Sequence, residues 1–236
     1  LVKDISKTFS GITVYEKGKG IPKQTEELIK SNPYVTETDT FDRSENWLPL
    51  MRGSLMNRYT NLWNNNYYVL YGKNLGAPRD SKIFECKEKI IIRQTSDKII
   101  ATIITENIIC RKNLHILISE MVDHRFILGV LNSKLTNFYY QQINPEKGEV
   151  LAEVKKTHVE QLPIPKITSE NQQLHDDLVK LVEQMLKAKK EEQNAQSDHE
   201  KNLYKNLTES LDYKINNLVY KLYNLTPEEI DLVENS

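Results

Sequence analysis

Four consecutive residues, Arg93-Gln94-Thr95-Ser96, carry only hydrogen-bonding side chains, of types suited to phosphates and base edges. A guanidinium, a carboxamide and two hydroxyls hydrogen-bond to phosphate oxygens or base edges, and Arg and Gln are the common bidentate partners of guanine and adenine. They lie between two β-branched runs, residues 90–92 and 99–104, which predict strands. A hairpin that only had to turn would favour Asn-Gly or Asp-Gly here. In the alternative reading, Arg93 forms an internal ion pair and the hydroxyls cap the turn.

Other residues suggest other chemistry. Asp80, Glu85 and Lys87 have the types of a magnesium-dependent nuclease, two carboxylates for the metal and a lysine beside an attacking water. The gap between Asp80 and Glu85 is short, and the pattern also describes a solvated approach to a strand. Asn32-Pro33-Tyr34 is part of an adenine-amine motif, but it lacks the second proline and no buried strand precedes it. A Pro-containing turn is the simpler reading. Gly18-Lys19-Gly20 has no strand–loop–helix context for a cofactor phosphate. The five histidines are scattered, and Cys86 and Cys110 stand outside any ligand spacing, so no metal is assigned.

The elements that must position these groups differ along the chain. Residues 67–72, 89–94, 99–105 and 114–119 read as short strands separated by turns, and 123–142 as one helix with Asp123 as N-cap. Asn132, Ser133 and Lys134 fall inside it, where a packing or capping role is expected. The first forty residues are polar. After the break at 162–165, Leu-Pro-Ile-Pro, two leucine stripes follow: Leu174, Leu178, Leu181, Val182, Met185 and Leu186, then Leu203, Leu207, Leu211, Ile215, Leu218 and Leu222. Residues 189–198 read as the turn of an antiparallel hairpin, and Thr226-Pro227 with Glu229 opens a last short helix. This predicts an α/β (α+β) fold: a mixed, strand-rich domain over 1–165 and a helical region over 166–236.

Charge divides at the same place. From residue 168 onward there are 8 Lys and 14 acidic residues, net −6, which leaves 32 − 8 = 24 basic and 33 − 14 = 19 acidic residues before it, net +5. All seven arginines, Arg43, Arg52, Arg58, Arg79, Arg93, Arg111 and Arg125, lie in that basic part. Lys17 and Lys19 sit on a glycine loop where backbone can approach a phosphate, and Arg52, Arg58, Lys73 and Arg79 sit at turns between strands. No stretch is apolar enough for a membrane span and no signal segment opens the chain, which points to the cytoplasm. The start at Leu1 reads as a fragment of a longer protein.

Taken in order, the stretches GITVYEKGKGIPKQTEE, WLPLMRGSLMNRY, YVLYGKNLGAPRDSKIFECKEKIIIRQTS, ILGVLNSKLTNFYY, VEQLPIPKI and LYNLTPEEIDLVE resemble the TaqI-like C-terminal specificity domain of Type IIG restriction-modification enzymes and related N6-adenine DNA methyltransferases. The resemblance implies a DNA target-recognition domain whose partners are double-stranded DNA and an N-terminal methyltransferase domain of the same polypeptide. It implies no catalysis or cofactor in this chain, with S-adenosylmethionine, and Mg2+ if a nuclease is fused, held by the parent protein. The expected DNA contacts are Lys17, Lys19, Arg52, Arg58, Lys73, Arg79, Arg93, Gln94, Thr95 and Ser96. Because Arg93 to Ser96 match a motif shared by relatives that read different sequences, backbone contact is expected of them rather than base readout. Two further readings are kept: a helical protein-interaction module, and a metal-dependent nuclease using Asp80, Glu85 and Lys87.

Overall fold

The run Ile90-Ile91-Ile92 does not alternate with polar residues because its strand is covered on both sides. In this computed structural model, which describes residues 1–38, 40–42, 44–144, 146, 148–149 and 152–235, all three side chains are buried. The chain begins with a one-turn helix α1 (Val2–Ile5), strand β1 (Lys7–Ser10), helix α2 (Glu26–Ser31) and strands β2 (Val35–Thr36) and β3 (Trp47–Met51). A small hairpin of β4 (Met56–Asn57) and β5 (Thr60–Asn61) leads to β6 (Tyr68–Leu70) and the short α3 (Lys82–Glu85). Then come β7 (Lys89–Arg93), β8 (Ala101–Ile104), β9 (Ile109–Cys110) and β10 (Leu114–Ile118). Helices follow: α4 (His124–Leu131), α5 (Lys134–Ile143), α6 (Lys156–Glu160), α7 (Gln172–Asn194), α8 (Asp198–Leu222) and α9 (Pro227–Glu234).

The main sheet has the order β1-β10-β7-β8, antiparallel throughout; the second, β2-β6-β3-β9, is antiparallel except for the parallel pair β3–β9. Ile90, Ile92, Ala101 and Leu117 on one face of the main sheet join a core with α4, α7 and α8. Ile91, Ile104 and Ile116 on the other face join a second core with Leu50, Met51, Val69 and Ile109. The fold is therefore three layers, helices on sheet on sheet, with β7 in the middle. The helical core draws on residues from both sides of residue 165: Val182, Leu211 and Ile215 share it with Ile90 and Leu128. At the crossing of α4 with α7, a Cβ on Gly129 would lie 2.9 Å from Val182 Cγ2, so a side chain there would push the helices apart.

Three expectations are corrected. The segment 123–142 is two helices, because Ser133 takes an extended backbone and its hydroxyl accepts from Thr136 N at 3.1 Å, starting α5 afresh. Asn132 closes α4, and its carboxamide accepts from Ala101 N and donates to Ala101 O, each at 3.0 Å, covering the free edge of β8. The turn of the hairpin is short: α7 runs on through Lys189–Glu192, an ion pair at 2.7 Å, and α8 restarts with a Ser197–Glu200 capping box. The second leucine stripe is buried only from Leu211 onward; Leu203 and Leu207 are 55% and 43% exposed, since α7 offers Lys and Glu at that end. No helix among the described residues is long and apolar enough to cross a membrane.

Candidate nucleic-acid interface

Sheet register decides where each residue of the Arg93–Ser96 loop can reach. Leu114 pairs with Arg93, and Ile116 with Ile91, so Arg93 shares the face of Ile91 and points to the second sheet. There its guanidinium donates to the Met56 carbonyl and to Asn57 Oδ1, 3.3 Å away. Among the described residues it meets no carboxylate, and its Nε is buried without a partner. Burial pushes its pKa below the ordinary arginine value, but it remains a cation. A half-buried cation fixed by carbonyls and lacking a counter-charge is suited to a phosphate oxygen.

The remaining loop residues are tied to the protein. Gln94 Nε2 donates to Glu153 Oε2 at 3.1 Å, while its backbone receives Val154 N at 2.7 Å and donates to Asn113 O at 2.9 Å. Thr95 forms an antiparallel bridge with Glu153. The Ser96 hydroxyl accepts from Lys98 N at 3.1 Å, capping the turn. His115 Nε2 lies 2.7 Å from the Val154 carbonyl, which makes it the protonated nitrogen and leaves Nδ1 buried with no partner among the described residues. Burial holds the His115 pKa below the usual imidazole value.

The other expected contacts fall into separate settings. Arg52 lies 4.4 Å over the Tyr67 ring and pairs with Glu37 at 3.1 Å. Arg58 is bound to the tail: it meets Asp212 Oδ1 of α8 at 2.6 Å and the Asn132 carbonyl at 2.7 Å. Lys17 pairs with Glu26 at 2.5 Å, whereas Lys19 and Lys73 are exposed. Those three lysines share one corner because Gln24, almost fully buried, donates to Val14 O and Asn74 O at 2.9 and 2.7 Å and accepts from Glu16 N. Arg79 has φ of 65° and reaches Gly11 O at 3.4 Å through Nε. Arg43 lies outside the described residues. A cleft of about 1000 Å3 opens between the β4–β5 hairpin and the helices, but most of its cations are neutralised, by Arg58–Asp212, Lys134–Glu234 and Lys189–Glu192 pairs.

The competing motifs have structural surroundings of their own. Asp80 Oδ1 accepts from Lys82 N at 3.1 Å at the start of α3, and Glu85 ends that helix. Among the described residues no three His, Cys, Asp or Glu are grouped to hold a metal. Asn32 is the left-handed C-cap of α2, and Tyr34 stacks on Tyr15 at 5.7 Å, which occupies the ring an adenine would need. Gly18 and Gly20, both at positive φ, lie in the irregular segment between β1 and α2, in a loop closed by Gln24. Both cysteines are free, and burial pushes Cys110 up to about 12.

Sequence reasoning missed Lys89. It is fully buried, on the same face as Arg93, and its ammonium donates to the carbonyls of Phe84, Glu106 and Cys86 at 2.8, 2.9 and 3.3 Å. One cation thereby ties two loops to the end of β7. A lysine opening an all-apolar strand covered on both faces was the only signal.

Residues 48–164 match the TaqI-like C-terminal specificity domain. This segment is a TaqI-like specificity domain. The match begins inside β3 and ends after α6, so both sheets' central strands, Arg52, Arg58 and the Arg93–Ser96 loop all belong to it. No curated protein matches the chain by sequence. Among solved structures, the specificity domain and its flanks are similar to the Type IIL restriction-modification enzyme MmeI in complex with DNA, at 13% identity and a TM-score of 0.55 over 95% of this chain and 33% of that one. The type IIG restriction endonuclease BpuSI is also similar, at 14% identity and a TM-score of 0.43 over 93% and 31%. The chain thus spans about a third of the length of either, and the likeness to MmeI is one of fold.

Proposed function

We propose that this chain is the DNA target-recognition part of a restriction-modification N6-adenine DNA methyltransferase. It grips duplex DNA for a methyltransferase domain elsewhere in the same polypeptide, which binds S-adenosylmethionine; Mg2+ would be needed only by a fused nuclease. In this reading the chain itself catalyses nothing and works in the cytoplasm. The family match over residues 48–164 carries the reading. The Arg93 guanidinium, which meets no carboxylate among the described residues, supports it, as does the arginines' confinement to the basic part of the chain. Arg93 supplies a phosphate contact, Arg52 and the exposed Lys19 and Lys73 add long-range attraction, and Gln94, Thr95 and Ser96 hold the loop's shape.

The test is titration of a duplex with the protein in the absence of cofactor and metal, followed by fluorescence anisotropy. Non-specific Kd values on the order of 10⁻⁴ to 10⁻⁶ M at physiological salt are expected, weakening as salt rises. Absence of binding, or binding indifferent to salt, overturns the proposal. A second reading, a helical module that docks another protein surface, is favoured by the exposed Leu203 and Leu207 of α8. Self-association through the hairpin without any DNA affinity would select it.

A further inference from the structure

The loop joining β5 to β6 carries three consecutive asparagines, Asn64, Asn65 and Asn66, all exposed. None of their carboxamides bonds another described group. Their backbone, in contrast, is held firmly. Trp63 N donates to Asn61 Oδ1 at 3.0 Å, the Trp63 indole N–H to Tyr67 O at 3.2 Å, and the Tyr68 hydroxyl to Asn65 O at 2.8 Å. Asn65 takes φ of 62°, a left-handed backbone that asparagine tolerates. Aromatic rings buttress the loop: Trp63 meets Tyr68 edge-on at 6.1 Å, Tyr68 meets Phe41 at 4.8 Å, and Phe41 stacks on Trp47 at 5.4 Å.

A carboxamide offers one donor and one acceptor edge, which together match N7 and the exocyclic amine of adenine in the major groove. Such a reader discriminates only if it is positioned before the base arrives, and this loop is. A cation stands beside it: the Arg52 guanidinium covers Tyr67, the residue after Asn66, and its ion pair with the exposed Glu37 is one that a phosphate can replace. Resting on the recognition reading above, we infer that the loop of residues 64–66 reads bases, selecting adenine of an A·T pair in the major groove of duplex DNA. Base readout and backbone contact then belong to different loops.

The experiment is selection from a randomised duplex library at fixed salt, with the protein and with its Asn64→Ala/Asn65→Gly/Asn66→Ala variant; glycine at 65 keeps the positive φ. The wild type should enrich a motif containing adenine, and the variant should lose discrimination there by about tenfold or more. Its melting temperature and its binding to unrelated duplex should not change. Asn64→Asp and Asn66→Asp provide the second arm, for a carboxylate accepts from the cytosine amine and should move the preference from adenine towards cytosine. A motif retained whole in all variants, or affinity lost equally on every sequence, overturns the inference and leaves the recognition reading standing. If the triple variant melts early, the aspartate variants decide alone, and an unchanged motif in them is the contrary result. A wild type that enriches no sequence removes the recognition reading, and this inference with it.

Discussion

The loop at residues 93–96 and the loop at 64–66 are both short, polar and set beside strands, yet their side chains are used in opposite ways. In the first, Gln94 is bonded to Glu153 and Ser96 caps its own turn. In the second, three carboxamides face outward on a backbone fixed by Trp63 and Tyr68. Polar residues whose hydrogen bonds are satisfied internally build the scaffold; those left free on a fixed backbone are available to a partner. Arg58 and Arg93 divide in the same way, one closed by Asp212 and the other meeting, among the described residues, only neutral oxygens.

That division predicts which substitutions cost stability and which cost binding. The largest effect belongs to the buried seam: Leu211→Asp should lose about 3–5 kcal/mol in urea unfolding. Leu207→Asp, one turn earlier on the same stripe but exposed, should change stability by less than about 0.5 kcal/mol. Equal losses in the two would mean that the seam extends further than the structure shows. Lys89→Met removes the charge that three buried carbonyls share, and should cost on the order of 3 kcal/mol with DNA affinity of the folded protein unchanged. A variant as stable as the wild type would show that those carbonyls find water instead.

Arg58→Ala should cost about 1–2 kcal/mol, discounted because the ion pair is part-exposed, and should leave the salt dependence of DNA binding alone. A smaller effect is expected from pH. His115 has a folded-state pKa below the 6.5 of the unfolded chain, so the unfolded state binds the extra proton first. The stability associated with neutral His115 is complete above pH 6.5 and declines as pH falls below it. His115→Gln, which keeps a donor for Val154 O, should narrow the gap between urea midpoints measured at pH 7.5 and 5.5. An unchanged gap would place the acid sensitivity elsewhere.

Much of this organisation was legible before the structure. The strands at β7, β8 and β10 declared themselves by β-branched runs, and the Thr226–Glu229 cap by its spacing. What was hidden depended on contacts between distant residues. Nothing local shows that Arg58 faces Asp212, 154 residues away, or that Gln24 reaches Asn74. Ser133 caps α5, but the apolar periodicity that continues on either side of it makes 123–142 read as one helix. Leu203 and Leu207 kept the period of a buried stripe without a partner to bury them; periodicity marks a face and not what covers it. The parity of β7, which sends Lys89 and Arg93 to one side and Ile90 and Ile92 to the other, follows from strand geometry, but which side meets the second sheet does not.

Arg93 is expected to meet a phosphate, with the rest of its loop as support. The direct measurement is the slope of log Kd against log salt concentration for one duplex, with wild type and with Arg93→Ala. Loss of one phosphate contact should reduce the slope by about one and weaken binding about equally on unrelated sequences, in a protein that remains folded. A folded Arg93→Ala variant with unaltered affinity and unaltered slope would remove this loop from the DNA interface.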